Sequence, residues 1–128
     1  MYSNPPDLFD PTGPWSFVAD TGPTVYLAGL RGVDPTTNRL VEGPIERVRQ
    51  IFVNLGIATA SVGLGLDSVV RLTVFVTDMN EHRPLVNRAQ EEVWGKGPYP
   101  PRTIVQVTAL NQDDIVEVEA TLYRPDKI

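Results

Sequence analysis

The stretch from Pro100 to Glu119 constrains this chain more than any other. Two β-type runs flank a polar turn, and successive side chains in a strand alternate between its two faces. In the first run Val105 and Val107 share one face, and Arg102, Ile104 and Gln106 the other. In the second, Val116, Val118, Ala120 and Leu122 share a face, and Glu117, Glu119 and Thr121 the opposite one. Paired as a hairpin, the two runs point both apolar faces into one core. The reverse face then carries an arginine and two carboxylates. A sheet face with those charges stays in water or is covered by something that uses them.

The rest of the chain supplies the elements around that pair. Trp15 to Ala19 and Thr24 to Ala28 read as strands joined by turn chemistry at Asp20-Thr21-Gly22-Pro23. Pro44 can open a helix, with Ile45, Val48, Ile51, Phe52 and Leu55 at helical spacing behind it. Val69 to Thr77 is β-branched, with Val70, Leu72, Val74 and Val76 expected on the core face. Asp78 and Glu81 form a capping pattern before a second helix carrying Leu85, Val86, Ala89 and Val93 or Trp94, closed by Gly95 and Gly97. The order β-β-α-β-α-β-β predicts an α+β fold, a mixed sheet with two helices on one face. The uncovered face is expected to hold Arg71, Thr73, Phe75, Arg102, Ile104, Gln106, Glu117 and Glu119. That mixture suits an oligomer interface containing sites; an exposed polar face is the alternative.

Composition narrows the function. The 128 residues suit one domain spanning 1–128, with residues 1–14 as an extended Pro-rich arm. A net charge of −5 argues against nucleic acid as the main partner. There is no cysteine, so thiolate metal sites, disulfides and a Cys nucleophile are excluded. His82 is the only histidine, which leaves no transition-metal constellation. No membrane-length apolar run and no signal-like N-terminus are present, so a cytoplasmic protein is the expectation.

Several pieces resemble the Rid family of imine and enamine deaminases, also called the YjgF family. They are Gly13 to Trp15, Ala28-Gly29, Asp34 to Thr37, Val69 to Asp78, Val86-Asn87, Pro100 to Arg102 and Val116 to Ala120. Their order and spacing carry the resemblance, above all an arginine 15 residues before the first glutamate. It covers most of the chain, from about Gly13 to Arg124. The resemblance implies a chorismate-mutase-like fold and a homotrimer closed around a barrel, with sites between subunits. It also implies hydrolysis of reactive 2-imino acids to 2-keto acids and ammonia, with no metal or organic cofactor.

On that resemblance Arg102 binds the substrate carboxylate and Glu117 holds the attacking water. A guanidinium fork suits a carboxylate, and hydrolysis needs a group that positions water and moves protons. The alternative for Arg102 is a cross-hairpin pair with Glu117 or Glu119. Glu119 could substitute for Glu117 or face a trimer interior. Gly29 would line the pocket with its backbone, and Asn87 would serve as a hydrogen-bonding residue on the second helix. Three departures stand out. Trp15 replaces a common tyrosine, Ile104 replaces a common cysteine and leaves only its backbone, and Arg31 falls where small or apolar residues are usual. Arg31 is thereby expected to meet a second acidic group on the substrate. Alternative functions are a dedicated catabolic enamine deaminase of the aminomuconate type and a non-catalytic trimer that binds small carboxylates.

Overall fold

The β-branched run Val69–Val76 becomes the strand around which the sheet is organised. In the computed structural model, which describes residues 1–125, the strands are β1 (Tyr2–Ser3), β2 (Val18–Asp20), β3 (Thr24–Leu30), β4 (Val33–Asp34), β5 (Arg39–Leu40), β6 (Val69–Val76), β7 (Arg102–Gln106) and β8 (Val116–Tyr123). The helices are α1 (Pro44–Ser61) and α2 (Met79–Trp94). Six strands form one sheet in the order β1-β2-β3-β8-β6-β7, and β4 and β5 form a separate hairpin. The expected α+β order is present, with β1 and the β4–β5 hairpin added to it. Residues 126–128 of the expected 1–128 domain lie outside the described residues.

Both helices pack on one sheet face. Leu72, Val74 and Val76 of β6 and Val116, Val118 and Leu122 of β8 are fully buried there, against Val48, Ile51, Leu55, Ala58 and Val86 of the helices. Asp78 caps α2 by accepting from the Glu81 backbone N–H at 3.1 Å, as the capping pattern predicts. Asn54 is among the buried polar residues that escaped the sequence reading. Asn54 sits on the core side of α1 and donates to the carbonyls of Arg31 and Val33, each at 2.9 Å. It thereby pins the chain leaving β3 onto α1.

Three expectations need correction. The closing strands are not a hairpin: β6 lies between them, antiparallel to β8 and parallel to β7. The crossover through α2 makes β7 parallel to β6. Register then inverts the faces expected in β7. Arg102, Ile104 and Gln106 lie beside Leu72, Val74 and Val76 on the helix-covered face, and Val105 lies on the open one. A second correction concerns Val70. A register shift between Val69 and Arg71 buries Val69 and leaves Val70 exposed. Third, the first of the expected strands starts at Val18, and Trp15 precedes it. The Phe17 backbone N–H instead donates to Asn4 Oδ1 at 2.9 Å. The Pro-rich segment is tied down as well. β1 pairs with β2, Leu8 and Phe9 are buried, and Phe9 meets Phe17 edge-to-face at 5.0 Å.

Candidate functional site

Glu117 emerges from β8 on the open sheet face, because Val116 and Val118 on either side point into the core. It faces a cavity of about 350 Å³ lined by Phe9, Thr12, Trp15, Ala28, Gly29, Arg31, Asn111 and Glu117. The pairing of β3 with β8 slips between Leu27 and Leu30, which places Gly29 beside this carboxylate. A Cβ on Gly29 would lie 2.6 Å from Glu117 Cδ. The absence of a side chain is what lets Glu117 lie across the β3 backbone. Gly29→Ala is therefore expected to displace the Glu117 carboxylate with the fold retained, which a structure of the variant beside a far-UV circular dichroism spectrum checks.

Burial raises the Glu117 carboxyl above the ordinary carboxylate range, Arg31 pulls it back, and Asp114 and Glu119 push it further up. Arg31 is buried behind the cavity. Its Nη1 donates to Asn111 O and Asp114 Oδ2, both at 3.1 Å, and its Nη2 to Gln112 Oε1 at 3.0 Å. Its Nε lies 3.9 Å from Glu117 Oε1. Asp114, with a fully buried side chain, also reaches Arg47 Nη1 at 3.5 Å. The cation expected to meet a second acidic group is thus turned inward and bound up with protein acceptors. Glu119 is exposed on the same face as Glu117 and does not line this cavity.

Arg102 opens β7 and lines a second cavity, of about 270 Å³, with Asn87, Gln90, Glu91, Tyr99 and Pro100. Its Nη1 donates to Asn87 Oδ1 and to Gln90 Oε1, both at 2.8 Å. Asn87 and Gln90 are three apart on α2 and so share one helix face. Among the described residues no carboxylate lies within 4 Å of Arg102, so the cross-hairpin ion pair is ruled out. Burial and the neighbouring Arg83 lower its pKa, yet a guanidinium keeps its proton throughout the physiological range. A half-buried cation held only by neutral amides is a site that attracts an anion. Sequence reasoning missed Gln90; its spacing from Asn87 was the available signal.

Ile104 follows on the same face of β7 and packs on the core. Leu72 N–H donates to Pro101 O and Val107 N–H to Val76 O. By strand alternation the peptide groups of Arg102, Ile104 and Gln106 point away from β6. β7 is the last strand of its sheet, so these groups form an open backbone edge. Trp15 stands at the Glu117 cavity, edge-to-face on Phe17 at 4.8 Å. The structure thus gathers Trp15, Gly29, Arg31 and Glu117 in one place, and Asn87, Arg102 and the Ile104 backbone in another. Arg102 and Glu117 lie on opposite faces of the sheet. His82 lies in the first turns of α2 and lines neither cavity.

A family model described as endoribonuclease L-PSP matches residues 6–123. A mouse protein named 2-iminobutanoate/2-iminopropanoate deaminase is 35% identical over 84% of this chain and 79% of its own length. A structure from Rhodopseudomonas palustris, described as a probable translation initiation inhibitor, is 42% identical with a TM-score of 0.92, covering 98% of this chain and 97% of its own. The Escherichia coli protein TdcF, solved with bound serine, is 25% identical with a TM-score of 0.90, covering 97% of this chain and 98% of its own.

Proposed function

This chain belongs to the Rid (YjgF) family, and on that premise we propose that it is a hydrolytic deaminase of 2-imino acids. The observation that carries the reading is Arg102, a half-buried guanidinium with two amide partners and no carboxylate. Its free N–H groups would take the substrate carboxylate as a fork. Relatives named 2-iminobutanoate/2-iminopropanoate deaminase, and a relative solved with the carboxylate-bearing ligand serine, support the same choice.

The chemistry follows from the two half-sites. Glu117 takes a proton from water as the oxygen adds to the C=N carbon of the imino acid. Glu117 returns that proton to nitrogen, giving the carbinolamine. The carbinolamine hydroxyl then passes its proton through Glu117 to nitrogen as the C–N bond breaks, leaving the 2-keto acid and ammonia. Tethering by Arg102 lowers the barrier by holding the carbon against that water. Within one chain the two residues sit on opposite sheet faces, so the reaction needs a second copy. We take the assembly to be a homotrimer in which the β7 edge of one copy meets the Glu117 cavity of the next. The open peptide groups of β7 and the separation of Arg102 and Glu117 into two cavities support this. An RNA-cleaving reading has less support, given the net charge of −5 and a single histidine outside both cavities.

The test is keto-acid release from 2-iminopropanoate and 2-iminobutanoate made in situ by a dehydratase. Acceleration by the protein is the expected result, with a trimeric mass in light scattering. A folded trimer that accelerates neither would overturn the deaminase reading.

A further inference from the structure

We infer that Arg31 is a positioning residue for Glu117 and not a substrate ligand: it fixes the turn in front of Glu117 and holds that carboxylate over Gly29. This rests on the deaminase reading for its catalytic consequence but not for its structural content. The turn at Asn111–Asp113 contains two consecutive residues, Gln112 and Asp113, with positive φ of 58° and 55°. Neither is glycine, so the turn needs outside support. Arg31 provides it from one guanidinium, through the Asn111 carbonyl, the Gln112 side chain and the Asp114 carboxylate. The same turn brings Asn111 to the wall of the Glu117 cavity. The Nε edge of Arg31 is left facing Glu117.

The position after β3 contributes Arg31, the position after the turn contributes Asp114 and β8 contributes Glu119. β6 presents the uncharged Phe75 opposite, and the N-terminal segment presents Phe9, Thr12 and Trp15. Among the described residues Arg31 is thus the only cation facing this half-buried carboxylate from these elements. Asp114 shares that cation, and Arg47 in turn shares Asp114. The chain Arg47–Asp114–Arg31 places positive charge beside Glu117 while the Nη1 and Nη2 groups of Arg31 are turned to protein acceptors. This keeps Glu117 ionised, and able to accept a proton from water, at a lower pH than burial alone would allow.

The experiment is a ¹³C NMR titration of the Glu117 carboxyl, assigned with Glu117→Gln, in wild type, Arg31→Met, Arg31→Lys and Asp114→Asn. An opposite charge at this range is worth about one pH unit at a partly exposed site. Arg31→Met is therefore expected to raise the Glu117 midpoint by about one unit, with Arg31→Lys recovering part of the shift. Asp114→Asn frees the cation and lowers the midpoint. Where Arg31→Met does not fold, the lysine and asparagine variants carry the test. Unmoved midpoints in folded variants overturn the inference. The acid limb of kcat/KM should move with the midpoint, and kcat should fall while KM stays close to wild type. A titration shift with no turnover in wild type sinks the deaminase reading and leaves the positioning role standing. Turnover in wild type with a large KM effect and no titration shift does the reverse.

Discussion

Arg102→Ala is expected to lower kcat/KM on 2-iminopropanoate by about 30- to 4,000-fold, because a charged hydrogen-bonded pair truncated on one side costs about 2–5 kcal/mol. Stability should change little. The guanidinium holds no protein carboxylate, and its amide partners Asn87 and Gln90 line an open cavity where water can replace it. The combination of lost turnover and retained melting temperature separates a substrate-binding arginine from a structural one. Arg102→Lys should restore only part of the activity, since an ammonium cannot present two parallel donors. A stronger version uses two inactive chains. Unfolded together and refolded as mixed trimers, Arg102→Ala and Glu117→Gln should regain about a quarter of wild-type activity. In a ring of heterologous interfaces, that fraction of sites draws an intact Arg102 and an intact Glu117 from different copies. Zero recovery from folded, mixed trimers would place both residues of each site in the same chain, against the opposite-face geometry described above.

The elements were legible wherever local chemistry decides them. Asp78, Pro44 and Gly95 mark helix ends through capping and backbone geometry, which neighbours in sequence control. The alternation in β8 survived because both its neighbours are long strands that bury one face. The pairing of β7 was not legible. Its five residues alternate equally well in either register, and which face is buried depends on the crossover through α2. The consequence for the site is large. Arg102 and Glu117 could be proposed as carboxylate binder and base from the family resemblance, but the face each occupies is a property of the sheet order. Gln90 and Asn54 were hidden for another reason. Amides on a helix look like solvated residues until the tertiary partner, a guanidinium or a pair of carbonyls, is known. Arg31 read as an unusual cation, and its true partners lie some 80 positions away in the chain.

Glu117→Gln should abolish turnover and stabilise the protein. Loss of a general base costs about 10²–10⁴-fold in kcat. The stability effect follows from burial. The Glu117 carboxyl has an ordinary value of 4.5 and is raised in the folded state, with desolvation as the leading cause. Its contribution to stability is then fully present below the unfolded value and is lost as pH rises through the folded value. Glutamine keeps the shape and carries no charge, so it escapes that loss. The melting temperature of Glu117→Gln should match wild type near pH 4, rise above it as pH increases, and level off once wild-type Glu117 is ionised. Glu119→Gln is the control on the exposed side of the same strand face and should leave turnover near wild type. A parallel drop in turnover for both variants would move the base role to the pair, and a Glu117→Gln enzyme with wild-type kcat would remove it from Glu117. The stabilisation carries its own meaning. A carboxylate kept half-buried at a cavity wall at a cost in stability is the pattern expected of a group that acts on a molecule in the cavity, and the paired turnover and melting measurements test that role for Glu117.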